Sequence, residues 1–159
     1  ALTSFRGWTF KKHPSSGREL YKIVVFLPDA ELRTLIEKLQ PVYNVARTRS
    51  NDRQPYINAM MALAGTLTAQ DKVKDMKYKE IIAKVFGLGA GTTVIDGPTL
   101  ADIADPNVVS QEKYLSLVNK MKTSYEKLLR IMGEPYPFMY EAAGSNDKYY
   151  WLPSEYLPL

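Results

Sequence analysis

From about residue 110 to 132 the chain runs for roughly six helical turns without a proline or glycine, and Gly133 ends the run. Tyr114, Leu117, Val118, Met121, Tyr125, Leu128 and Met132 recur at three- and four-residue steps along it, a wide apolar band on one face of a helix. A helix of that length cannot bury its band alone, so the rest of the chain must supply elements to lie against it.

Three shorter helical patterns precede it. Pro28-Asp29 opens the first, in which Leu32, Leu35, Ile36 and Leu39 form one stripe. Asp29 and Glu31 in its first turn and Lys38 near its end suit the helix dipole, and Pro41 is expected to stop it. Pro55 serves as a first-turn proline for a second helix through about Leu67, packed by Ile57, Met60, Met61, Ala64 and Leu67. A capping-box outline at residues 68–71 precedes a third, best supported at Tyr78, Ile81, Ile82 and Val85 and stopped by Gly87. A short strand at 92–95 and a helical turn after Pro98 complete this middle part. The expected class is mainly α: a four-helix bundle-like core joined by short connections.

Both ends differ from the middle. Residues 8–12 and 19–26 are rich in aromatic and β-branched types and flank the turn-forming run 13–17, which reads as a β-hairpin or extended arm. Residues 134–159 hold four prolines and seven aromatics, an irregular tail too apolar to stand in water. The organisation is therefore a helical domain with its arm over 1–133, then a tail over 134–159 packed on the same or a neighbouring subunit. Docking across a subunit boundary is the expectation, with Tyr136, Phe138, Tyr149, Tyr150, Trp151 and Tyr156 as its interface.

Composition narrows the chemistry. The chain of 159 residues has no cysteine and a single histidine, His13, set in a turn. Thiolate zinc sites, cysteine nucleophiles, histidine-based triads and histidine metal clusters are thereby excluded. No cofactor, metal site or catalytic set is expected, and the chain is read as a non-enzyme. The glycines of residues 87–93 follow a helix and precede an extended stretch, and lack the Gly-Lys-Ser/Thr ending, so they terminate a helix rather than cradle a phosphate. Asp71 and Asp75 share a helical face with neighbouring lysines, which reads as solvated surface. No apolar run is long enough to span a membrane, and the N-terminal residues lack the apolar centre of a secretory signal. A virion or intracellular location is expected.

Charge points to a partner. Net charge is +4. Residues 1–53 hold ten Lys/Arg against five Asp/Glu, residues 54–133 ten against eight, and residues 134–159 one against four. Arg47, Arg49 and Arg53 lie within seven residues, interleaved with Ser, Thr, Asn and Gln, a composition that suits phosphate oxygens next to a helix N-terminus. Lys113, Lys120 and Lys127 stand seven apart on the last helix, the outer two about 21 Å from each other. A local pairing of the arginines with Asp52 and an ordinary polar helix face explain the same residues. Among the basic and aromatic residues of the arm, Arg6, Lys11, Lys12 and Arg18 with Phe5, Trp8 and Phe10 suit either base stacking or packing of the hairpin.

Together, a helical core, basic arm, arginine-rich connection, lysine row and aromatic tail resemble coat proteins of rod-shaped or filamentous viruses. The resemblance is one of architecture. It implies a self-assembling structural protein that packages nucleic acid, DNA or RNA, without regard to sequence and through phosphate contacts weakened by salt. The alternative is a non-enzymatic protein-interaction or assembly module whose aromatic tail engages a partner.

Overall fold

A computed structural model describes residues 9–12, 19–48, 50–87, 97–133, 139–141, 148–153 and 156–158. Strand β1 (Thr9–Lys12) pairs antiparallel with β2 (Glu19–Pro28), as the hairpin pattern requires. β2 then passes without a break into helix α1 (Asp29–Ala46). Leu27, at that junction, is fully buried. Helix α2 (Gln54–Ala64) follows, then a 3-10 helical turn (Gln70–Asp75), α3 (Tyr78–Val85), α4 (Leu100–Ala104) and α5 (Gln111–Gly133). The tail supplies β3 (Met139–Glu141) and β4 (Lys148–Pro153).

The tail is where the structure departs furthest from expectation. β4 inserts between β2 and β3, giving a four-stranded antiparallel sheet in the order β1-β2-β4-β3. Its register sets Val24 opposite Pro153 and Pro28 opposite Tyr149. Tyr149 and Tyr150 are buried, and Tyr150, Leu152 and Leu157 belong to the same apolar cluster as the helices. The described part of the aromatic tail thus packs on its own chain. The physical reason is the long apolar strand β2, which leaves a second edge that β4 satisfies with backbone hydrogen bonds. Tyr150 also donates its hydroxyl to Asp29 at 3.0 Å, tying β4 to the first turn of α1. The same carboxylate accepts from Arg33 Nε at 2.8 Å, and that hydrogen bond is the chief reason Asp29 is held below its ordinary pKa.

α1 lies along α5 and α2, while α2 faces α4 and the 3-10 turn. The helices have 18, 11, 8, 5 and 23 residues, so the core is one long pair and a cluster of short helices, not four of comparable length. α1 runs through Pro41 to Ala46, past the expected stop. The residues beyond the proline explain it: Val42 and Ala46 are buried, and the Tyr43 ring stacks on Tyr125 of α5 at 4.3 Å. Burial of that extra turn outweighs the helical hydrogen bond that the proline cannot donate.

The capping box forms elsewhere than expected. Ala69 precedes the 3-10 turn with no side-chain cap, whereas Thr99 and Asp102 make the reciprocal pair at α4. The turn expected after Pro98 is that helix. Gly87 ends α3 with φ of +69°, a conformation glycine adopts without strain. The strand expected at 92–95 lies outside the described residues. At the centre of the core Tyr56 and Tyr78 share a hydroxyl–hydroxyl hydrogen bond of 2.6 Å. Burial pushes both phenols up, Tyr78 to about 12.

Candidate functional site

The arginine-rich connection joins α1 to α2 and lies against the start of α5. Its backbone is fixed by its own short polar side chains. Thr48 Oγ1 donates to the Val45 carbonyl at 2.7 Å, and Ser50 Oγ accepts from Asp52 N at 3.1 Å. Asp52 Oδ1 accepts from Gln54 N at 3.1 Å, so a carboxylate of this chain already sits at the N-terminus of α2. An incoming phosphate would meet that negative charge instead of a vacant dipole.

Arg53 is turned into the protein. It is 7% exposed. Its Nη1 donates to the carbonyls of Ile103 and Val109, both at 2.8 Å, and its Nη2 to Gln111 Oε1 at 3.1 Å. The guanidinium lies 4.8 Å from the centre of the Tyr114 ring. One cation thereby joins the end of α4, the α4–α5 connection and the first turn of α5 to the start of α2. The expected phosphate contact is replaced by an internal clasp, because four carbonyl, amide and aromatic groups converge on a fork of donors. Burial raises the Tyr114 phenol, with the charge of Arg53 pulling the other way.

Of the remaining arginines, Arg47 caps the end of α1 and is exposed, and Arg49 lies outside the described residues. Lys113 and Lys120 are exposed on α5, as is Arg130. Lys127 is half-buried, its ammonium 5.1 Å above the ring of Tyr156. Among the described residues, Arg53 is buried away from the exposed lysines of α5. Leu115 and Lys122 of α5 face the end of α1; Lys113 and Lys120 each stand two residues earlier, roughly 160° around the helix. Of the expected assembly residues, Tyr149 and Tyr150 are buried within the chain, Tyr156 is partly buried, and Trp151 pairs through its backbone with Phe26. Tyr136 and Phe138 lie outside the described residues.

What the structure does bring together is a cleft of about 250 Å³ between α1 and α5, lined by Ala46, Asn51, Leu115, Val118, Asn119 and Lys122. Its floor is apolar and its rim polar. Leu115 is 38% exposed, and Leu129, two heptads further along α5, is 43% exposed. Between them Lys122 Nζ contacts Glu126 Oε1 at 3.3 Å, and Tyr43 donates its hydroxyl to Glu126 Oε2 at 3.2 Å. Asn51 is anchored from behind: its Oδ1 accepts from Gln111 Nε2 at 3.2 Å, and Gln111 in turn accepts from Arg53. A buried cation thus fixes, through two amides, a side chain on the rim.

Sequence patterns pick out the arginines but not this cleft. The available signal was Leu115 and Leu129, fourteen residues apart and off the main apolar band. Asn51 and Gln111 carry no signal, since their pairing depends on two segments meeting in space. Among the described residues no group of three acidic or metal-ligating side chains stands close enough to hold an ion, and no described helix is long and apolar enough to cross a membrane. No family model matches the chain, and no curated protein or solved structure is detectably similar to it.

Proposed function

We propose that this chain is a non-enzymatic assembly module that engages other polypeptides through the α1–α5 face. One observation carries the reading: leucines 115 and 129 are partly exposed along one row of α5, the first of them beside a cleft that no described segment fills. Partly exposed apolar side chains set along one helical row can form a docking face. The cleft volume falls below the roughly 300–1,000 Å³ usual for small-molecule pockets, which favours a side-chain anchor over a cofactor.

A photoreactive amino acid in place of Leu115 tests this in the cells from which the chain comes. Crosslinks to protein are expected from position 115 and none from position 37, an exposed site on the outer face of α1. Equal yields from both positions would end the proposal.

A second reading, the nucleic-acid-packaging coat-like protein, is favoured by the exposed Lys113, Lys120 and Arg130, none of which has a carboxylate partner among the described residues. Under it, the Lys113→Ala, Lys120→Ala and Arg130→Ala triple variant lowers affinity for a generic oligonucleotide and flattens its salt dependence. An unchanged isotherm would remove that row from consideration.

A further inference from the structure

We infer that the α1–α5 cleft receives an acidic, amphipathic protein segment, seating an apolar side chain on Ala46, Leu115 and Val118 while its carboxylates face Lys122 and Arg47. The inference rests on the assembly reading above and adds the chemistry of the partner.

The one charged residue that lines the cleft is a cation. Lys122 lines it, and the exposed Arg47 follows directly after the lining residue Ala46. Two nearby carboxylates, Glu126 beside Lys122 and Asp52 after Asn51, are already committed. Glu126 accepts from both Tyr43 and Lys122, and Asp52 accepts from Gln54 N at the start of α2. No acidic residue lines the cleft itself. The polar groups that remain are mostly donors. Lys122 has three ammonium hydrogens and one contact to Glu126. Asn51 has its oxygen engaged by Gln111, which turns its amide hydrogens to other acceptors. Asn119 is exposed on the same rim. Donors around an apolar floor select a ligand that carries acceptors around an apolar anchor. A peptide with leucine or aromatic side chains flanked by carboxylates has that pattern, whereas a bare phosphate backbone leaves Leu115 and Val118 unmatched.

The relay behind Asn51 argues that the rim is built in advance. Arg53, buried and held by two carbonyls, orients Gln111, and Gln111 orients Asn51. A donor fixed in this way loses little freedom when a ligand arrives.

The test is a titration of isotopically labelled protein, followed by nuclear magnetic resonance, with two capped amphipathic peptides of about four helical turns. One is built from leucine and glutamate, the other from leucine and lysine. The acidic peptide is expected to shift the side-chain amides of Asn51 and Asn119 and the backbone amides of Leu115 and Val118, saturably. The basic peptide should not. Leu115→Asp is expected to weaken binding about tenfold or more, as for an anchor residue. Lys122→Glu should pass the preference to the basic peptide, an outcome that unfolding could not mimic. Gln111→Ala, with a spectrum otherwise preserved, should weaken binding by a smaller factor. Absence of saturable shifts with the acidic peptide, or binding indifferent to Leu115→Asp, overturns the inference. If the same resonances move with protein concentration alone and Leu115→Asp stops them, a second copy fills the cleft; the inference then fails while the assembly reading stands. If single-stranded oligonucleotide moves them and Leu115→Asp has no effect, both fail.

Discussion

Arg53 shows how far one side chain's role depends on where the chain puts it. In the sequence it is the third cation of a polar run next to a helix start. In the fold it is a buried donor whose charge faces carbonyl dipoles, an amide and an aromatic ring, with no carboxylate in contact among the described residues. A charge taken out of water without a counter-charge survives only if its hydrogens are well satisfied. The carbonyls of Ile103 and Val109 need it as much as it needs them. Arg53→Met keeps apolar bulk over Tyr114 but strands both acceptors, so a loss of about 2–4 kcal/mol is expected. Urea unfolding followed by circular dichroism measures it. A midpoint equal to the parent's would mean that the clasp contributes nothing net, the desolvation of the cation having cancelled its bonds.

α1 carries a comparable lesson for elements. A proline read in isolation ends a helix, because it removes a donor and crowds the preceding turn. Here α1 continues because Val42, Tyr43 and Ala46 have somewhere to go, against α5. Pro41 itself is exposed, so its ring packs on nothing that would be missed. Pro41→Ala restores the missing hydrogen bond to the Glu37 carbonyl and relaxes the turn. The interior-proline cost is roughly 3 kcal/mol, offset by about 0.4–1 kcal/mol of lost rigidity in the unfolded chain, so a net gain of about 2–2.6 kcal/mol is expected. A lower melting temperature for Pro41→Ala would show that the proline is needed to fit α1 onto α5. The hairpin, the stripe of α1, the first-turn proline of α2 and the long α5 were legible because each is a local pattern. The passage through Pro41, the 3-10 turn in place of a longer third helix, and the cleft were not. Each is decided by a contact between segments far apart in sequence, which composition and period do not encode.

At the scale of the whole molecule the question is whether residues 134–159 form an appendage or part of the fold. Read as sequence, a proline-broken aromatic tail suits an appendage that seeks another surface. In the fold β4 occupies a central position in the sheet and its side chains enter the helical core. The sizes decide what deletion does. Tyr149, Tyr150, Leu152 and Leu157 are all buried, and four such side chains represent roughly 6–12 kcal/mol of gross burial. A domain of this size is stable by only about 5–15 kcal/mol in all. Removing residues 146–159 also strips β2 of its partner over five register positions, from Val24 to Pro28. Deletion should therefore abolish cooperative unfolding rather than release a folded, unassembled helical domain. Thermal melts of the full and shortened chains distinguish the two: one sharp transition for the first, a sloping loss of ellipticity for the second. A shortened chain that melts as sharply as the parent would return the tail to the status of an arm. It would also reopen the subunit boundary as the place where its aromatics belong.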